Sequence, residues 1–204
     1  SVPVAVTLPS GRVFKAMDAG KAHTLAIADD NTVYAWGRGD DGRLGTGGEI
    51  QRTLPTLTGT GSVLAGKVVT SVSAGRAHSL AVAAGKLYAW GSDTAGQLGD
   101  GAGGTFLDMP VELGGALAGK TVAFIGAGGF FSIACTDDSK VFAWGENTHG
   151  NLAGATTIPT QADAPTEADF SSVLASGRRV LLLNCGLNHG LMLSGPPPAP
   201  VIAP

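Results

Sequence analysis

The sequence predicts an all-β fold, a β-propeller built of four-stranded antiparallel blades. A segment of roughly 54 residues repeats along the chain, and each repeat holds short strand-like segments separated by turn residues, with no competing helical period. Glycine, at 32 of 204 residues, is about twice as frequent as in ordinary proteins, which fits a chain that turns often. Four strands in a repeat of this length are typical of a propeller blade.

Three sequence blocks recur in the same order. The first reads AGKAHTLA from residue 19, AGRAHSLA from 74, AGGFFSIA from 127 and CGLNHGLM from 185. The second reads YAWG, YAWG and FAWG, and it places Trp36, Trp90 and Trp144 54 residues apart. The third reads GRLG, GQLG and GNLA from residues 42, 96 and 150. The fourth repeat lacks the last two blocks, so the chain holds about three and a half blades.

Each complete repeat should contribute four strands in sequence order. In the second repeat the first three are Val68–Ser73, His78–Ala83 and Lys86–Trp90, which are rich in β-branched and aromatic residues. Asp, Asn, Ser or Gly residues occupy the turn between the second and third strands, as tight hairpins allow. Fourth strands are expected at Pro3–Val6, near Pro55–Thr58 and at Pro110–Leu113.

The repeats divide the chain into consecutive units. We expect blades over residues 1–58, 59–113 and 114–168 and a partial blade over 169–194, followed by a Pro-rich tail or linker over 195–204.

Composition excludes several classes of function. The net charge is −3, and no basic run exceeds the pair Arg178 and Arg179, so nucleic acid is not an expected partner. Apolar stretches are too short to span a membrane. Cys135 and Cys185 lack a metal-binding spacing, and two free thiols are preferred over a disulfide, which stays open. No nucleophile, metal or nucleotide motif is present, so neither enzymatic activity nor a cofactor or metal is expected.

The repeated blocks resemble those of the regulator-of-chromosome-condensation repeat family. Its blades carry an alanine-glycine-x-x-histidine strand, an aromatic-x-tryptophan-glycine strand and a glycine-glutamine-leucine-glycine loop. The resemblance extends over the chain up to the Pro-rich tail, and it implies a seven-bladed propeller.

Residues that recur once per repeat are interpreted as structural, because repetition spreads them around a ring and does not converge them on one site. Each repeated histidine is expected to donate to a backbone carbonyl of an adjoining strand, and each tryptophan to fill the wedge between blades. The structural positions are Gly20, His23, Trp36, Gly75, His78, Trp90, Gly128, Trp144, Gly186 and His189.

Polar loop residues that differ between repeats are better candidates for partner binding. These residues are predicted to form one protein-binding rim: Arg38, Asp40, Asp41, Arg43, Asp93, Gln97, His149 and Asn151.

The leading functional hypothesis is a non-enzymatic scaffold for protein binding or assembly. Two alternatives are nucleotide exchange on a small GTPase, which the family resemblance implies, and inhibition of a secreted enzyme. The incomplete ring is expected to close with a second copy, as a homodimer, or with the remainder of a longer chain. The Ala/Gly-rich, Lys-poor composition favours a bacterial, extracytoplasmic setting.

Overall fold

The computed structural model describes Val6 and residues 11–152, 160–174 and 177–196. Within them, fourteen strands form three four-stranded antiparallel sheets and one two-stranded sheet, each ordered as in the sequence. The first sheet holds β1 (Phe14–Ala19), β2 (His23–Ala28), β3 (Val33–Gly37) and β4 (Arg52–Leu57). The second holds β5 (Val69–Ala74), β6 (His78–Ala83), β7 (Lys86–Ser92) and β8 (Phe106–Glu112). The third holds β9 (Val122–Ala127), β10 (Phe131–Thr136), β11 (Val141–Glu146) and β12 (Gln161–Ala168). The fourth pairs β13 (Arg179–Cys185) with β14 (Gly190–Gly195).

The all-β prediction is confirmed. The helical segments among the described residues are short 3₁₀ turns at Asp40–Gly42 and Gly115–Leu117. The expected fourth strands near Pro55 and Pro110 are β4 and β8, although both begin earlier than predicted. The strand expected at Pro3–Val6 lies outside the described residues except for Val6, which is not in a strand.

The same irregularities recur in each four-stranded sheet. The ladder between the third and fourth strands shifts register between Ala35 and Gly37, between Ala89 and Gly91, and between Ala143 and Gly145. The residue skipped each time is the repeated tryptophan. A bulge at this point frees the indole from the ladder and increases the local twist of the strand.

The turns between second and third strands have the left-handed backbone that their sequences predict. Asn31, Ala84 and Ser139 all have positive φ, at 68°, 51° and 63°, and Gly85 has φ 74°. Two successive residues with positive φ at Ala84 and Gly85 match a type I′ hairpin, which suits the right-handed twist of the paired strands.

The hydrophobic core lies in the seams between sheets. One buried cluster joins the first and second sheets and includes Leu25, Leu44 and Trp90. A second joins the next pair, and a third joins the last two around Phe131 and Leu183. The first strands β1, β5, β9 and β13 contact one another in succession, so they lie on the inner side of the stack.

Candidate functional site

The seam between the first two blades is held by three side chains around one backbone carbonyl. Trp90 Nε1 donates to the Arg43 carbonyl oxygen at 3.0 Å, and Ser79 Oγ donates to the same oxygen at 2.8 Å. His23 Nε2 lies 2.9 Å from Ser79 Oγ. Because the hydroxyl hydrogen of Ser79 points at the carbonyl, His23 Nε2 carries the proton and donates it to the serine oxygen.

The second seam repeats this arrangement residue for residue. Trp144 Nε1 and Ser132 Oγ donate to the Gln97 carbonyl oxygen at 2.9 and 2.7 Å, and His78 Nε2 lies 3.0 Å from Ser132 Oγ. The direct partner of His23 and of His78 is therefore a serine hydroxyl of the next blade. The expected backbone carbonyl is reached only through that hydroxyl, which the sequence prediction missed.

Glycine is required where the blades approach most closely. A Cβ on Gly75 would lie 2.6 Å from the carbonyl oxygen of Gly128 in the next blade and 2.7 Å from Nδ1 of its own His78. Gly99, in the third sequence block, has φ +77°, and a Cβ there would lie 2.5 Å from Trp144 Nε1. Gly20, before His23, is equally crowded by the ring that follows it. Any side chain at these positions would push the blades apart.

Burial keeps both seam histidines neutral. Burial, followed by the Arg43 charge, lowers the pKa of His23 to about 4. Burial, followed by the positive charge of protonated His23, lowers the pKa of His78 to about 3. The neutral imidazoles thus act as hydrogen-bond donors near neutral pH.

The repeated tryptophan and histidine positions at the two edges of the stack lack, among the described residues, the hydrogen-bond partners that their equivalents have in the seams. Trp36 is half-buried and stacks on Phe14 of its own blade at 5.5 Å between ring centroids. The His189 side chain is exposed and makes no hydrogen bond to another described residue, whereas Gly186 keeps its place under the His189 ring. In the third loop, the buried Asn151 amide has no partner in the described part of the chain. Both edges of the stack therefore present half of a seam.

Four of the eight predicted rim residues are buried, which corrects their assignment to an exposed rim. Arg43, Asp93, Gln97 and Asn151 expose 5, 1, 0 and 3% of their surface. The reason is the seam itself: Arg43 and Gln97 supply its carbonyl oxygens, and Asn151 is their equivalent in the third repeat. Sequence differences at these positions are therefore not a sign of partner contact.

Asp93 supports its own loop. Its Oδ1 accepts from the Leu98 amide at 2.8 Å, as Asn147 Oδ1 accepts from Leu152 at 3.1 Å in the next repeat, whereas Oδ2 is buried without a partner. Burial raises the Asp93 pKa to about 6. This carboxyl is thus a structural group that lies beneath the surface.

The other four predicted rim residues are accessible. Arg38 and His149 are exposed, and Asp40 and Asp41 are half-exposed. Arg38 pairs with Asp40, and Asp41 accepts a 2.8 Å ion pair from the buried Arg43 guanidinium. Pairing with Arg38 also lowers the Asp40 pKa. His149 lies in the third blade and contacts Thr148 at 3.0 Å.

A concave surface joins some of these residues to others that the sequence prediction missed. We call the end of the sheets that carries the repeated glycine turns the Gly face. On it, a groove of about 290 Å³ runs between the first and second blades; we name it the basic groove, and its charged and aromatic lining is Lys21, Arg38, Asp41, Arg43, Arg76 and Phe130.

Arg76 and Lys21 distinguish the basic groove from the rest of the surface. Arg76 is half-buried, with its guanidinium carbon 4.6 Å from the centroid of the Phe130 ring. No carboxylate among the described residues lies within ion-pair distance of Arg76 or Lys21. Both follow a repeated glycine, at a position that reads Lys, Arg, Gly and Leu in successive repeats. That variation at a fixed repeat position was the sequence signal that could have identified them.

Comparison with known proteins identifies the family. A model described as the regulator of chromosome condensation (RCC1) repeat matches residues 30–82, and a second model with the same description matches residues 14–43, 69–97 and 122–151. Together they cover more than half of the chain. The chain belongs to the RCC1 repeat family.

Curated RCC1 relatives are much longer than this chain. It is 34% identical over 189 residues to the human E3 ubiquitin-protein ligase HERC2, covering 90% of this chain but 4% of that protein. It is 30% identical over 195 residues to the Ultraviolet-B receptor UVR8 of Arabidopsis thaliana, covering 95% of this chain and 42% of the receptor.

Solved RCC1 structures share the fold. Human WBSCR16 matches with a TM-score of 0.80 and 26% identity, over 93% of this chain and 46% of that one. Prp20p from Saccharomyces cerevisiae, whose structure was described with its binding properties to Gsp1p and histones, matches with a TM-score of 0.78 and 19% identity over 92% of this chain and 44% of that one. This chain thus spans about half of each solved propeller.

The remaining chemistry of this RCC1 chain is sparse. Cys135 and Cys185 are free thiols, and burial raises the pKa of each to about 12. In the described ranges no three His, Cys, Asp or Glu side chains are grouped to hold a metal ion. None of the described helices is long and apolar enough to cross a membrane.

Proposed function

We propose that this RCC1 chain is a non-enzymatic protein-binding module and that the Gly face around the basic groove is its binding surface. The observation that carries the proposal is the pair Lys21 and Arg76, two cations without an ion-pair partner among the described residues, on a concave surface that also presents an aromatic ring. The seam network beneath holds the surface rigid, and a preformed surface loses little entropy on binding a partner.

A matched pair of variants tests this proposal by affinity capture. Arg76→Ala combined with Lys21→Ala removes the unpaired charges, whereas Lys67→Ala removes a cation at the opposite end of the sheet. Lys67 is a suitable control because its ammonium also lies near an aromatic ring, 6.0 Å from the Tyr88 centroid. The immobilised chain is exposed to cytoplasmic and secreted fractions of the source organism, and bound proteins are identified by mass spectrometry.

We expect wild type and the Lys67 variant to retain the same protein and the double variant to lose it. Retention by all three would place binding elsewhere and contradict the proposal. The identity of the retained protein decides the alternatives: a small GTPase supports nucleotide exchange, and a secreted enzyme supports inhibition. The fraction that supplies it tests the predicted extracytoplasmic setting.

We also propose that the two edges are covered, either by a second copy as a homodimer or by the remainder of a longer chain. The support is the half-seams: Trp36 has no carbonyl partner in the described chain, and the exposed His189 side chain has no serine partner there. Sedimentation equilibrium tests this. A mass near twice 20.3 kDa supports the homodimer, aggregation supports a missing chain segment, and a monomer at high concentration contradicts both.

A further inference from the structure

Two depressions on the Gly face share Lys21 and Arg76. The first is the basic groove. The second, of about 200 Å³, lies where the four glycine turns meet. We call it the axial depression, and apart from Lys21 and Arg76 its walls are glycines and alanines of those turns together with Cys185 and Leu187. Lys21 and Arg76 therefore stand on the boundary between a charged depression and an apolar one.

The charges around this boundary are not equivalent. Arg38 and Arg43 are neutralised by Asp40 and Asp41. Arg76 donates no side-chain hydrogen bond to another described residue, although its backbone amide is fixed by the Gly128 carbonyl oxygen at 3.1 Å. The Phe130 ring covers one side of the guanidinium and limits its rotation. A planar donor group that is already oriented is suited to binding a carboxylate through two hydrogen bonds.

We propose that this boundary binds an acidic segment of a partner protein, with a carboxylate on Arg76 and Lys21 and the neighbouring apolar side chain in the axial depression. This inference rests on the proposed function and specifies the chemistry of the partner. Its basis is charge complementarity. The chain has a net charge of −3, yet the unpaired charges at the boundary are both positive.

The surroundings favour a peptide over a nucleic acid. A nucleic-acid backbone needs a series of cations along its path, and here two unpaired cations lie close to the half-exposed carboxylates of Asp40 and Asp41. Those carboxylates repel a second and third phosphate. A single Asp or Glu flanked by an apolar side chain fits this surface, because the carboxylate can reach Lys21 and Arg76 and the apolar side chain can enter the axial depression.

Fluorescence anisotropy with a labelled peptide that holds a single glutamate flanked by leucines tests the inference on the intact chain. We expect the affinity for the peptide to weaken with salt. It should fall about tenfold in Arg76→Ala, because a charge-assisted bidentate contact is lost. It should fall about threefold in Lys21→Ala, because that side chain is exposed. Lys67→Ala should bind as wild type does. Equal melting temperatures for the Arg76 and Lys67 variants would show that the loss is not a folding defect.

Three comparison probes make the result decisive. A glutamine–leucine peptide that binds equally well would remove the role of charge, and a single-stranded oligonucleotide bound more tightly through Arg76 would replace the peptide by nucleic acid. Full displacement by millimolar phosphate would reduce the site to a general anion site. Each of these results, or no binding at all, overturns the inference. Affinity capture separates the two proposals, since a partner lost in the double variant supports the binding face even if the model peptide fails.

Discussion

Replacing Trp90 by alanine should destabilise the chain by about 3–5 kcal/mol, the range for a buried large-to-small substitution. The indole is fully buried in the first seam, and its Nε1 donates to the Arg43 carbonyl oxygen at 3.0 Å. The alanine variant would leave a cavity against Gly45, where even a Cβ would lie 2.7 Å from the indole nitrogen. Ser79 still bonds to the carbonyl, so the cavity and not an unpaired acceptor accounts for most of the loss.

Trp36 provides the matched control because it occupies the same repeat position at an open edge. It is half-buried and has no carbonyl partner in the described chain, so Trp36→Ala should destabilise by about 1–2 kcal/mol, less than half the effect at Trp90. Guanidinium unfolding followed by far-ultraviolet circular dichroism measures both without relying on indole fluorescence. A loss below about 1 kcal/mol for Trp90→Ala would refute the wedge role. Equal losses in a chain shown to be monomeric would refute the open edge.

Three further predictions concern the seams and the loop beneath the Gly face. The stability provided by neutral His78 is complete above pH 6.5 and is lost as the pH falls toward its lowered pKa of about 3. The free energy of unfolding should therefore drop by about 2 kcal/mol between pH 6.5 and 5. His78→Phe should flatten that part of a pH series of denaturant melts. Asp93→Asn, which copies Asn147 of the next repeat, should stabilise the chain by about 2 kcal/mol at pH 8, because the pKa of the native carboxyl is raised to about 6. The gain should vanish below pH 4, where the carboxyl becomes protonated in both states. A gain independent of pH would contradict this. Gly99→Ala should destabilise by at least about 2 kcal/mol in calorimetry, because φ +77° is strained and the Cβ meets Trp144; a neutral effect would show that the seam can relax.

The fold could be predicted from the sequence because its determinants are local and repeated. Strand alternation, hairpin residues such as Ala84 and Gly85, and the equal spacing of the tryptophans each specify part of a blade, and three copies remove ambiguity. The ends of strands were less accurate. β8 begins four residues before the predicted Pro110, because pairing with β7 continues past the bulge at Trp90.

The candidate site was predicted only in part because exposure depends on the neighbouring blade. Arg43 and Gln97 look like variable polar loop residues, yet their carbonyl oxygens are the fixed acceptors of the seams, and a backbone acceptor leaves the side-chain identity free to vary. Variation therefore arises at such a position without any role in binding. Arg76 was missed for the opposite reason, since it adjoins a repeated glycine and was included with the structural block.

The same arrangement keeps the seams fixed and leaves the residues of the Gly face free to differ in sequence. Each seam joins side chains of two neighbouring blades to a carbonyl oxygen, and it does not use the side chain of the residue after the repeated glycine. That residue is held through its backbone, as Lys21 N is bonded to the Gly75 oxygen at 3.2 Å. That position can carry lysine, arginine, glycine or leucine without disturbing the stack. Its side chains project from a backbone that is fixed on both sides by neighbouring blades, which is the condition for preorganised recognition. The chemistry of the Gly face can thus change from blade to blade, whereas the propeller beneath it stays the same.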